Sequence, residues 1–95
     1  MSRYLGIDFG EKRIGVAISD PSRTIAQPLK TITYTHVNAA IKEIVALVQE
    51  YTVVKIVVGL PVTMKGTDSQ KTTQVRAFIQ QLQQMVAVPV EAFDE

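Results

Sequence analysis

"YLGIDFGEKRIGVAIS", residues 4–19, is the stretch on which the fold turns. Apolar residues fall at every second position, first Leu5, Ile7 and Phe9, then Ile14, Val16 and Ile18. A period of two sends alternate side chains to opposite faces, so each half reads as a strand with one face toward a core. Between the halves lies "GEKR" at 10–13, short and led by glycine, which predicts an antiparallel hairpin. The other face carries Gly6, Asp8 and Gly10 on the first strand and Gly15, Ala17 and Ser19 on the second. Asp8 therefore stands on a face stripped of side chains, where a metal, a phosphate or a closely packed helix could approach the sheet.

Working outward, "DPSRT" from Asp20 is a turn cluster, and a third strand is expected around 26–34, with Pro28 marking an edge position or a broken start. From Val37 the period changes to that of a helix: Val37, Ala40, Ile41, Ile44, Val45 and Val48 share one stripe, with Thr35 as the expected N-cap. "VVKIVVGLP" at 53–61 is nearly continuous in apolar residues and reads as a strand buried on both faces of a parallel sheet, ended by Pro61. A polar loop then leads into a second helix whose core face is Val75, Phe78, Ile79, Leu82 and Met85, with Gln80, Gln81, Gln83 and Gln84 on a solvated face. "VPVEAFDE" at 88–95 forms a last strand. The result is an α/β fold, an antiparallel hairpin start followed by two helix-linked parallel strands.

At 95 residues and 46% hydrophobic content, 1–95 is expected to be a single domain with one core. No apolar run approaches a membrane span and no charged, apolar leader opens the chain, so neither insertion nor export is indicated. Cysteine is absent, which fits a cytoplasmic setting. The net charge is +1, so any site for a polyanion has to be local.

Ligand sites in open α/β sheets lie outside the carboxyl ends of the parallel strands. Asp8 lies toward that end of the first strand, Gly59 to Pro61 close the fourth, and Asp94 and Glu95 close the fifth. Clustered carboxylates repel one another unless a cation sits among them, and hard oxygen donors with no cysteine and one histidine favour Mg2+ or Mn2+ over zinc. The alternatives are an aspartate hydrogen-bonded within its strand and a pair of solvated terminal acids.

Three ordered segments, "IDFGEKRIGVAISD" at 7–20, "IVVGLPVTMKGT" at 56–67 with "VRAFIQQL" at 75–82, and "EAFDE" at 91–95, together resemble the YqgF/RuvX family. Its members are described as Holliday junction resolvases or pre-16S rRNA nucleases with an RNase H-like fold. The resemblance spans essentially the whole chain and implies a mixed sheet of strand order 3-2-1-4-5. It implies that Asp8 is the catalytic carboxylate of the first strand, and that Glu95, with Asp94 beside it, is the second metal-binding acid of an Asp-Glu-Arg motif. Arg76 matches a basic position on the second helix. Family members continue past that motif to a C-terminal helix bearing another aspartate. The sequence stops at Glu95, so the expectation is a C-terminally truncated domain lacking that helix, nearly inactive by itself, with uncovered apolar surface inviting a homodimer or swapped assembly.

The chemistry implied is phosphodiester hydrolysis in rRNA precursor or branched DNA, assisted by two divalent ions. Lys12, Arg13, Lys65, Lys71 and Arg76 are the candidates for phosphate contacts, each also readable as a solvated charge. Tyr4, Tyr34 and Tyr51 could stack bases, but tyrosines at element ends also serve as amphipathic packing residues, and His36 reads as surface. Two rival classes stand beside the nuclease. One is an actin-like nucleotide-binding module, whose first hairpin shares the aspartate and glycine pattern; the other is a non-catalytic nucleic-acid or ribosome-maturation scaffold.

Overall fold

The alternating apolar residues of 4–19 form the centre of a five-stranded sheet in the computed structural model, which describes residues 3–10, 12–19, 26–60 and 69–94; the side chains of 26, 60, 69–72 and 94 lie outside that description. The elements are β1 (Arg3–Phe9), β2 (Arg13–Ser19), β3 (Ala26–Thr33), α1 (Val37–Glu50), β4 (Val53–Leu60), α2 (Ser69–Met85) and β5 (Val90–Asp94). Strand order is β3-β2-β1-β4-β5, with β2 antiparallel to β1 and β3, and β4 parallel to β1 and β5. This is the order and direction expected. β3 is an edge strand, and its Pro28 sits opposite Ala17 beside a register shift, where a missing N–H disturbs the ladder least.

Both helices pack on one face. Leu5, Ile7, Ile14, Val16, Ile56 and Val58 meet Ile41, Ile44, Phe78 and Leu82 in one buried cluster. Each of these side chains is withdrawn from water, and burial of a Leu, Ile or Phe is worth about 1.5–3 kcal/mol. β4 departs from the two-sided burial its composition suggested. Val53, Ile56 and Val58 are buried, but Val57 and Lys55 are only half-buried and Val54 is exposed. An extra residue between the Arg3–Val53 and Tyr4–Lys55 pairs breaks the alternation at the strand's start, so Val53 and Ile56, three apart, both face the helices.

Two smaller expectations are corrected. The N-cap of α1 is His36, not Thr35: the His36 carbonyl accepts the first helical N–H groups of Ala39 and Ala40, and no side chain caps the helix. His36 itself is exposed, as expected. Met85 is 53% exposed, because α2 ends there and the chain turns toward β5 before another turn could cover it.

Candidate functional site

With both helices on one side, the opposite face of the sheet forms an open trough of about 590 Å³ that contains Asp8. Asp8 is exposed in the middle of that floor. Its cross-strand partners are Gly15 on β2 and Gly59 on β4, and in sequence it lies between Gly6 and Gly10. Four of the five glycines in the chain therefore surround one carboxylate. A β-carbon placed on Gly15 would stand 3.6 Å from that of Asp8, so any larger side chain there would crowd the carboxylate. The sequence had exposed Gly6, Gly10 and Gly15 as a bare patch. It did not expose Gly59, which looks like part of a strand-ending turn until the β1–β4 register places it beside Asp8.

Gly59 has a second consequence. It pairs with Phe93 on its other side, so Asp8, Gly59 and Phe93 form one row across β1, β4 and β5. Two strand spacings separate the ends of that row by about 10 Å, and the middle position has no side chain. The exposed Phe93 side chain thus shares the Asp8 face, with the side-chain-free Gly59 between them. The backbone of Asp94 lies one residue further along, paired with Leu60. Glu95 lies outside the described residues.

Of the basic candidates, Arg13 is the one that shares Asp8's edge and face: it begins β2, is exposed, and alternates with Gly15 and Ala17. Lys12 is exposed in the adjoining turn, whose carbonyl accepts the Tyr34 N–H at 3.1 Å. Arg76 is exposed on α2, on the helical side of the sheet, so the sheet stands between it and Asp8. Lys71 lies in the first turns of α2 with its side chain undescribed, and Lys65 lies outside the described residues.

At the far end of the trough face, Lys55 Nζ donates to Glu91 at 2.9 Å and lies 5.4 Å from the Tyr4 ring centroid. The hydrogen bond to Glu91 raises the lysine pKa. This pair ties β4 to β5 away from Asp8. Tyr51 stacks under Arg3 at the same end of the sheet, which accounts for two of the three tyrosines as packing residues. Among the described residues no group of three His, Cys, Asp or Glu side chains converges; Glu91 is paired with Lys55 beyond the trough, and Asp8 is the one acid among those that line it. Its hard oxygen donors and cleared surroundings suit Mg2+ or Mn2+ if further acids come from the end of β5. Among the described residues no helix is long and apolar enough to cross a membrane.

Comparison with known proteins bears on this geometry. Residues 2–95 match the family RuvX, described as Holliday junction resolvase. A Roseiflexus sp. protein named "Putative pre-16S rRNA nuclease" is 42% identical over 98% of this chain and 66% of its own length. One of the same name from Chloroflexus aurantiacus is 48% identical over 96% of this chain and 60% of its own. The chain thus spans about 60–66% of the length of these curated relatives. Among solved structures, T. thermophilus RuvC in complex with Holliday junction substrate superposes with a TM-score of 0.71 at 13% identity, covering 99% of this chain and 65% of that one. At that identity the likeness concerns the fold, which is RNase H-like.

Proposed function

The chain belongs to the RuvX family of Holliday junction resolvases, and on that premise we propose that it forms the catalytic sheet of a divalent-metal-dependent nuclease acting on structured nucleic acid. The observation that carries the reading is the isolation of Asp8: one exposed carboxylate, glycine on both neighbouring strands, and open floor toward the end of β5. A strand aspartate kept for stability would be expected to have a partner, and glycine beside it costs strand stability. A carboxylate kept for an ion and a phosphate needs the space instead.

In this reading Asp8 and Glu95, with Asp94 beside it, hold Mg2+ or Mn2+. Such ions lower the pKa of bound water and stabilise the attacking and leaving oxygens of phosphodiester hydrolysis. The bare floor lets the sugar-phosphate backbone lie against the sheet beside Asp8. Arg13 and Lys12 receive phosphate at the hairpin, while Arg76, with the sheet between it and Asp8, and Lys71 on the same helix could meet only nucleic acid that passes over the helical side; Lys65 lies outside the described residues. The names of the curated relatives favour precursor 16S rRNA as substrate and the family description favours a four-way DNA junction. Action in the cytoplasm goes with either.

The test is Mn2+-dependent cleavage of precursor 16S rRNA ends and of a four-way DNA junction by this chain, and by the chain extended with the C-terminal segment of the Roseiflexus relative, each with Asp8→Asn beside it. Cleavage of one substrate that disappears in Asp8→Asn supports the reading and identifies the substrate. Binding without cleavage in the extended chain would replace it with the scaffold reading.

A further inference from the structure

Asp8 and Phe9 are consecutive, so they address opposite faces of β1. Asp8 looks into the trough, while Phe9 looks into a separate cleft of about 390 Å³ on the helical side, at the same carboxyl edge of the sheet. The cleft is aromatic on one wall. Phe9 stacks on the buried Phe78 with ring centroids 4.6 Å apart and lies 6.4 Å from the Tyr34 ring. Phe9 and Tyr34 are only partly buried, and both line the cleft.

The other wall is α2, which presents Gln74, Ala77 and Gln81. These positions, spaced three and four apart, share one helix face, and the small Ala77 leaves a gap between two amides. Both glutamines are exposed, and among the described residues neither amide makes a hydrogen bond. A cleft with an aromatic wall and amide groups at its rim matches the needs of a nucleobase: a π-face to stack on, and donors and acceptors for its edge. The volume falls within the range of about 300–1,000 Å³ for small-ligand sites.

The cleft is also tied to the hairpin that carries Lys12 and Arg13. Tyr34 Oη donates to the Gly10 carbonyl at 2.6 Å, and its N–H donates to the Lys12 carbonyl. We propose that this cleft receives one unpaired nucleobase of the substrate, a few nucleotides from the phosphate at Asp8. The site rests on the nucleic-acid reading above and deepens it. Its ligand is a single-stranded or extruded base, so the protein prefers ends, flaps and unpaired junction arms to continuous duplex.

The experiment measures binding of a single-stranded RNA carrying one 2-aminopurine, whose fluorescence falls on stacking, against a fully paired duplex of the same length. It compares the chain with Tyr34→Phe, Tyr34→Leu and the double variant Gln74→Ala, Gln81→Ala. Tyr34→Phe keeps the ring and should keep the quenching. Tyr34→Leu should weaken single-strand binding by about fivefold or more, the lower end of base–aromatic stacking, and restore the fluorescence while leaving duplex binding unchanged. The glutamine pair occupies exposed helix positions where alanine folds well, and it should weaken single-strand binding alone. Equal losses for duplex and single strand, or no loss in either the leucine or the double variant, would overturn the base site while leaving the nuclease reading standing. No binding of either oligonucleotide would sink both.

Discussion

Asp8 costs the sheet something and returns nothing to its stability that the structure reveals. Gly15 and Gly59 flank it where a central strand ordinarily places β-branched residues. Gly15→Val is therefore expected to raise stability to urea by up to about 1 kcal/mol, the span of strand propensity. It should also lower metal-dependent cleavage by the extended chain by about 10-fold or more, because valine methyl groups beyond a β-carbon already in contact with that of Asp8 fill the floor beside the carboxylate. Denaturation and cleavage measured on one preparation check the pair. A variant that gains stability and keeps its activity would show that the bare floor is not functional. This residue-scale logic was half legible in the sequence: neighbours at i±2 can be read from one strand, but a neighbour across β4 needs the register, and no local pattern encodes it.

The elements were legible wherever periodicity was strong. β1, β2 and the two helices follow from periods of 2 and 3.6, and Val75, Phe78, Ile79 and Leu82 are buried as their spacing requires. β4 was not fully legible, since Val54 and Val57 mimic a strand covered on both sides while only one layer of helices covers it. Element ends depended on geometry the residues do not advertise. After α1, Thr52 has φ 54°, a left-handed conformation that opposes a β-branched side chain. Glycine is the usual residue just beyond a helix C-cap. Thr52→Gly is expected to stabilise the fold by about 0.5–1 kcal/mol, since removal of the steric cost exceeds the added freedom of the unfolded chain. A urea midpoint that falls would contradict it. Gln83 shows the same limit of one-dimensional reading. It lies on the face that looked merely solvated, yet its amide donates to the Val90 carbonyl at 3.3 Å, helping to dock β5 against α2.

At the scale of the whole molecule, the described residues form a two-layer arrangement in which one sheet face lacks a covering layer. Phe93 is 60% exposed on that face, with Val57 half-exposed on the neighbouring strand and Pro28 toward the far edge. Apolar surface left open in this way favours self-association. Sedimentation of the 95-residue chain is expected to show a concentration-dependent dimer that Phe93→Ser weakens; a monomer throughout would remove the expectation. The fold class could be read from the chain because β1 and β2 are hairpin-adjacent and the two crossovers each carry one clear helix, while the strand order came with the family resemblance. The uncovered apolar surface was expected only through the family resemblance, because an alternating strand does not say what its second face meets.

The central claim is that Asp8 anchors a divalent-metal site at the carboxyl edge of β1. The most direct measurement is Mn2+-induced paramagnetic broadening of backbone amide resonances in the 95-residue chain, with and without Asp8→Asn. Broadening should be strongest at Asp8, Gly15 and Gly59, fall off with distance from them, and vanish in the variant. Broadening centred elsewhere, or unchanged by Asp8→Asn, would contradict the account.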